Sequence, residues 1–306
     1  MRLGAFVVTF NRPEILRKTI QSLLTQTRPP DLVLIVDNGS LAETKRIAGE
    51  FSDNQVLYHS MGDNLGPAGA IAYAIHWLME AKYDWIWCGD DDDPPRYSDE
   101  IERLLKVVQS VDCADVAGVG AFGSLWDWET GRLKRLPDEA LSGVAEVDII
   151  GGNGHPMLQA EIVKKVGLPN NHFFFGLDDW EYCLRFRNAG YHLLVDGTLM
   201  RQYRARAGRL NFKQRRSWLP RHSYHTIWRQ YYSTRNYIFA MNKIFQRPNL
   251  ARREMLRALG RAFFSWGRGP RYGVAFTNLQ IRGVLDGYLG RMGRTVLPQP
   301  KYKGNP

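Results

Sequence analysis

Between residues 4 and 111, a short apolar run followed by a helix-period segment occurs four times. The apolar runs are 4–10, 32–36, 55–58 and 84–88. The helical segments open at Asn11, a candidate cap, and then cover 44–51, 70–81 and 98–111. Pro13 suits a first helical turn, and Ile15, Ile20, Leu23 and Leu24 give the first helix one apolar face. Strand–helix alternation of this kind predicts parallel strands with helices on both faces, a doubly wound α/β sheet. In such sheets ligands collect beyond the carboxyl ends of the strands. Three polar stretches fall there. They are Asp37-Asn38-Gly39-Ser40, Asn64-Leu65-Gly66-Pro67-Ala68-Gly69, and the four consecutive aspartates Asp90, Asp91, Asp92 and Asp93.

The aspartates follow Trp85-Ile86-Trp87-Cys88 and precede Pro94-Pro95. Adjacent carboxylates repel one another in a low-dielectric setting, and a divalent cation among them lowers that cost. Mg²⁺ and Mn²⁺ favour carboxylate and phosphate oxygens. The other reading is a solvated acidic turn that caps the next helix. Asp37 either closes a plain turn or accepts a hydrogen bond from a base or ribose. The Asn64 loop either punctuates strand and helix or lets a nucleotide approach the main chain. It lacks Gly-Lys-Ser/Thr and is no Walker loop.

Further on, 114–125 reads as strand and turn, 126–144 as irregular with a hairpin, and 147–150 as an apolar run. Short helices cover 161–166 and 182–189, and 191–195 is one more strand. Asp178 and Asp179 stand at a helix start, where the dipole favours acids. One of them could instead be a general base that takes a proton from an acceptor hydroxyl, with Glu181 sharing or orienting that role. The cluster Gly151-Gly152-Asn153-Gly154 is either a loop or a place where substrate meets the main chain. Trp126, Trp128 and Trp180 are core residues or stacking platforms for sugar faces. His155, His222 and His225 are candidate metal ligands, set against the structural role a lone histidine usually has.

The chain has 306 residues, enough for one large or two modest domains. Its three cysteines, Cys88, Cys113 and Cys183, make neither a disulfide framework nor a zinc site, which fits a reducing cytoplasm. No apolar run is long enough to span a bilayer, and the first residues lack a signal-peptide pattern. A net charge of +10 favours anionic partners. No nucleic-acid motif accompanies it, so a membrane surface or a lipid-pyrophosphate substrate is the better match. Beyond Arg204 the chain is helical, basic and aromatic, and the tail 297–306 is expected to be disordered.

Taken together, Val7-Val8-Thr9-Phe10-Asn11-Arg12-Pro13, Val36-Asp37-Asn38-Gly39-Ser40, the Asn64 loop, Asp90-Asp91-Asp92 and Leu177-Asp178-Asp179-Trp180-Glu181 with Arg185 resemble inverting family 2 glycosyltransferases. Tyr231-Tyr232-Ser233-Thr234-Arg235-Asn236 and the stretch 283–293 are similar to bacterial galactofuranosyltransferases and rhamnosyltransferases. The resemblance implies a GT-A fold, a Rossmann-like mixed sheet with helices on both faces, over 1–205. A helical region over 206–306 would follow it.

It also implies roles. Thr9, Asn11, Arg12, Asp37, Asn64, Gly66, Asp90 and Asp91 would bind a UDP- or dTDP-sugar. Asp90 and Asp92 would hold Mn²⁺ or Mg²⁺ on its diphosphate. Asp179 would be the base, beside Asp178 and Glu181, and Trp126, Gly152, Asn153 and Trp180 would meet the acceptor. Relatives often carry a metal-binding histidine after the strand that follows the paired acids; here 195–203 has none, and His222 is the favoured substitute. The expected activity is inverting transfer of galactofuranose from UDP-galactofuranose to a lipid-linked or oligosaccharide acceptor of a cell-wall or surface polysaccharide. Rhamnose from dTDP-rhamnose is the alternative. A non-catalytic glycan- or membrane-binding scaffold, and a nucleotidyltransferase, are the rivals from other classes. The expected setting is the cytoplasmic face of a bacterial membrane, held peripherally to anionic lipid, with no nucleic acid and with a homo-oligomer left open.

Overall fold

The computed structural model describes residues 1–39, 41–51, 55–212 and 222–297. Ser40 and the tail 298–306 therefore lie outside the described residues. The chain divides into two compact units: 1–128, 132–171 and 179–212 form one, and 129–131, 172–178 and 213–306 the other.

The first unit begins with β1 (Leu3–Thr9), α1 (Pro13–Leu24), β2 (Leu32–Asp37), α2 (Ala42–Gly49), β3 (Val56–Ser60), α3 (Gly66–Glu80), β4 (Trp85–Asp90) and α4 (Glu100–Ser110). There follow β5 (Val116–Gly120), the hairpin strands β6 (Leu125–Asp127) and β7 (Arg132–Lys134), then β8 (Val144–Val147) and β9 (Met157–Gln159). The last elements are α5 (Ala160–Val166), α6 (Asp178–Asn188), β10 (His192–Asp196) and α7 (Gly197–Arg206). Among the described residues the main sheet has eight strands in the order β3-β2-β1-β4-β9-β5-β10-β8.

Strands β1 to β4 are parallel, as the alternation requires. β9 runs antiparallel between β4 and β5, and β8 runs antiparallel to β10, so the sheet is mixed. Three-residue β9 carries too short a pattern to read as a strand from sequence. All residues of β1 and β2 are buried, which is why both read as unbroken apolar runs. Helix α4 covers one face with Ile101, Leu104, Leu105 and Val108 at helical spacing; each such side chain contributes about 1.5–3 kcal/mol of burial. Gly4 has a steric reason: a Cβ there would stand 2.7 Å from Leu78 of α3.

The second unit is built on α8 (Trp228–Phe239), α9 (Pro248–Ser265) and α10 (Pro270–Leu289). α10 meets α8 through Gly283 and Gly287, where a Cβ would stand 2.9 Å from the Tyr231 carbonyl oxygen and 2.7 Å from that of Arg235. That close approach accounts for the glycine spacing in the 283–293 stretch. Helix α9 buries the small residues Ala251, Ala258, Ala262 and Ser265. No helix among the described residues is long and apolar enough to cross a membrane.

Candidate active site

Parallel pairing brings the acids together. Thr9 stands opposite Asp37 on β2, and Val8 opposite Asp90 on β4, so three neighbouring strands end at one rim. The four aspartates then separate into different jobs. Asp91 is fully buried; Thr9 Oγ1 donates to its Oδ2 at 2.6 Å and Arg12 Nε at 3.2 Å. Thr19 Oγ1 also donates to its carbonyl at 2.5 Å. Arg12 spans Asp91 and Asp92 with its two terminal nitrogens. Asp93 pairs with Arg96 at 3.4 Å and offers its carbonyl to His155 Nε2 at 2.9 Å. Asp90 is exposed at the strand end, with its carboxyl among the other acids. Burial there, with the charges of Asp92, Asp91 and Asp179, pushes its carboxyl up to about 6 against the pull of Arg12.

Asp179 reaches the same neighbourhood from α6. The turn Gly152–Gly154 presents the Gly152 N–H to its Oδ2 at 3.0 Å, and the Trp180 N–H meets its Oδ1 at 2.9 Å. Burial still raises its pKa above the usual carboxylate range, because those two bonds only partly offset the lost water. A Cβ on Gly154 would lie 2.4 Å from the Phe122 carbonyl oxygen, so the loop needs glycine to seat there. His155 closes the loop in a left-handed conformation, φ 48°. It is fully buried, with Nδ1 at 2.5 Å from Glu100, which also takes the Tyr203 hydroxyl. Burial opposes protonation of His155, but Glu100 and Asp93 outweigh it and raise the pKa. Both ring nitrogens are engaged, so His155 braces the loop against the acidic turn.

At the end of β2, Asp37 is buried, accepting from Gly39 N–H at 2.8 Å and from the Tyr58 hydroxyl at 2.9 Å. Asn38 Oδ1 receives the Leu65 N–H at 3.0 Å, and Asn64 Oδ1 the Gly66 N–H at 2.9 Å. Strand end and Asn64 loop are thereby tied together. Gly66 is buried with φ 75°, and Asn11 is left-handed at φ 55°. The α1 cap accordingly falls on Arg12 rather than Asn11. Tyr58, Glu100 and Tyr203 carry no local signal in the sequence, whereas Asn38 lies inside the Asp37 motif. Strand register carries the signal for Tyr58: it pairs with Ile35, two residues before Asp37 and on the same face.

Glu181 is buried and ion-paired with Arg185 at 2.5 Å. Arg185 also donates to the carbonyls of Val166 at 3.2 Å and Leu168 at 2.7 Å. That tether orients α6. Asp178, also buried, opens the helix. Trp126 is buried edge-on to Trp180 (5.7 Å between ring centres) and to Trp128 (6.0 Å). Asn153 is exposed beside Asp179's loop. His222 and His225 belong to the second unit. Burial and the charges of Arg229, Arg261 and Arg268 lower the His222 pKa.

Among the described residues no three His, Cys, Asp or Glu side chains form a ready-made metal cage. Mg²⁺ and Mn²⁺ do not need one, since one or two carboxylates plus substrate phosphates suffice. Asp90, with a carboxyl destabilised by its acidic neighbours, and Asp92 fit such an ion chemically.

A mixed α/β sheet with acids gathered at parallel strand ends defines a nucleotide-sugar-binding fold of the GT-A type. The family model described as glycosyl transferase family 2 matches residues 5–165, and the chain belongs to that family. The galactofuranosyltransferase GlfT1 of Mycobacterium tuberculosis is 27% identical over 203 residues, 61% of this chain and 64% of that protein. GlfT1 of Mycolicibacterium smegmatis is 27% identical over 200 residues, covering 61% and 65%. The match thus spans under two thirds of these relatives' length. A solved mannosyltransferase from Pyrobaculum calidifontis, in complex with GDP-Man and Mn²⁺, superposes with a TM-score of 0.54 at 14% identity, covering 95% of this chain and 88% of that one. At that identity the likeness concerns the fold.

Proposed function

We propose that this protein is an inverting, metal-dependent glycosyltransferase that moves a sugar from a uridine diphosphate donor to a hydroxyl of a growing, lipid-linked glycan. Galactofuranose is the favoured sugar, because the relatives that cover most of the chain carry that activity in their names. The observation that supports the chemistry best is the seat of Asp179, whose carboxylate is held by the Gly152 N–H at 3.0 Å and the Trp180 N–H at 2.9 Å while its charge is felt by Asp90 at the strand rim. A donor-side carboxylate, Asp90, and a half-buried candidate base, Asp179, would then flank the reacting sugar.

In this reading Asp37 and the Asn64 loop hold the nucleoside. Asp90 and Asp92 would hold Mn²⁺ or Mg²⁺, which when bound offsets the charge growing on the leaving diphosphate. Asp179, steadied by the Gly152 and Trp180 amides, takes the proton from the acceptor hydroxyl at its carboxylate. The freed oxygen attacks the anomeric carbon, the carbon–oxygen bond to the diphosphate breaks, and configuration inverts without a covalent enzyme intermediate. Trp180 offers a face for the acceptor ring, and buried Trp126 braces it edge-on.

The acceptor's lipid accounts for the second unit. Phe263, with Phe264 and Trp266, forms one exposed apolar patch, and Leu289, with Leu285 and Ile281, another, both within an arginine-rich stretch. Such patches suit the interface of an anionic bilayer.

Incubating the protein with a panel of nucleotide-sugars, Mn²⁺ and glycan acceptors tests the reading. Release of UDP with a β-to-α or α-to-β change at the transferred sugar supports it. Release of pyrophosphate instead would identify a nucleotidyltransferase.

A further inference from the structure

We propose that Arg235 and Asn236, far from the sheet's acids in sequence, are positioning residues that hold the segment leading into the catalytic aspartates; the proposal rests on Asp179 being the base. The Tyr231-Tyr232-Ser233-Thr234-Arg235-Asn236 stretch of α8 is buried except for Ser233. Two of its polar side chains, Arg235 and Asn236, reach residues 173–176 of the same unit. Asn236 Nδ2 donates to the carbonyls of Phe173 (3.1 Å), Phe175 (3.0 Å) and Gly176 (2.8 Å). Arg235 sends one terminal nitrogen to the Phe173 carbonyl at 2.7 Å and the other to Gly293 at 2.7 Å. Its Nε donates to Asn236 Oδ1 at 2.9 Å, which turns the Asn236 amine towards the segment.

The side chains of the segment are held as well. Phe174 packs on Tyr232 (5.2 Å between ring centres), Phe175 on Trp228 (4.8 Å) and Phe173 on Phe239 (6.1 Å). The backbone held this way is unusual. Phe174, Gly176 and Leu177 have φ of 63°, 74° and 64°, the left-handed region that Phe and Leu rarely enter. Strain of this kind persists only where surrounding structure over-determines it, and it clusters at working sites. Helix α6 begins at Asp178, the next residue, and Asp179 is its second. The three left-handed residues fix where and in which direction that helix starts. Losing the clamp lets the segment relax and the Asp179 carboxylate leave its place at Gly152.

The test compares Asn236→Ala and Arg235→Lys with the wild type by steady-state kinetics, UDP titration and amide hydrogen exchange. A misplaced base lowers kcat on the order of 30- to 100-fold while donor KM and UDP affinity stay within about twofold. Exchange should quicken at residues 173–177 and at the Gly152 amide that Asp179 covers. A folded variant with kcat near wild type, or with kcat and UDP affinity falling together, overturns the proposal. If Asn236→Ala does not fold, Asn236→Ser and Arg235→Lys are read by the same criteria. Should the wild type transfer no sugar at all, the reading of the site fails, yet the exchange experiment still decides the clamp. A loosened 173–177 with Gly152 still protected refutes it.

Discussion

Two arginines, one at the half-exposed sheet rim and one buried, divide the labour of this molecule. Arg12, at the sheet rim, sits across Asp91 and Asp92; burial works against its charge, but the two carboxylates prevail and its pKa is raised. Arg235, in the helical unit, is more deeply enclosed and spends its donors on carbonyls, Thr295 and Asn236, between the Tyr231 and Tyr232 rings. Burial lowers its pKa, and the tyrosines and Asp286 restore only part of what is lost. The first arginine manages charge where charge must change hands. The second manages shape, where two carbonyls, an amide oxygen and a hydroxyl need donors at fixed positions.

The contrast can be broken most forcefully at the acids. Asp179→Asn should cut turnover by about 10³-fold while UDP still binds, since general-base removal typically costs 10²–10⁴; single-turnover kinetics reads it. Arg12→Ala strips a buried carboxylate of its counter-charge and should destabilise the fold by about 3 kcal/mol. Arg235→Lys keeps the charge but loses the planar fork, and should cost about 1–2 kcal/mol. Urea unfolding of both variants distinguishes charge from shape, and equal losses would erase the distinction.

The smallest effect has the opposite sign. Asp90 titrates near 6 when folded, above its ordinary carboxylate value of 3.8. The folded state therefore binds that proton more tightly than the unfolded one, and the stability it brings is present at low pH and lost as pH rises through 6. Asp90→Asn should stabilise the protein at pH 7.5 by on the order of 1 kcal/mol after solvent screening. The gain should vanish below about pH 4. Wild-type activity should fall as pH drops through 6, and thermal melts beside rate profiles check both signs.

Most of the sheet and its acidic rim was legible because apolar runs, helix periods and the carboxylate at each strand end are local patterns. Asp37, Asp90 and Asp179 could be singled out one at a time. What sequence could not assign was the division among adjacent aspartates: that Asp91 is locked by Thr9 and Arg12 depends on strands far apart in the chain. The same holds for His155, whose partners Glu100 and Asp93 precede it by more than 50 residues. Arg235 and Asn236 were visible as a motif, but their work lies in backbone carbonyls of 173–176, which no side-chain pattern reports. Antiparallel β9 was hidden because three residues carry no period.

The central claim is that the carboxylates at the rim bind a nucleoside diphosphate through a divalent cation. Calorimetric titration of UDP, with Mn²⁺ and with a chelator, into the wild type and Asp92→Ala is the direct test. The account requires wild-type binding that depends on Mn²⁺ and is lost in Asp92→Ala. Equal UDP affinity with and without the metal, unchanged by the substitution, would contradict it.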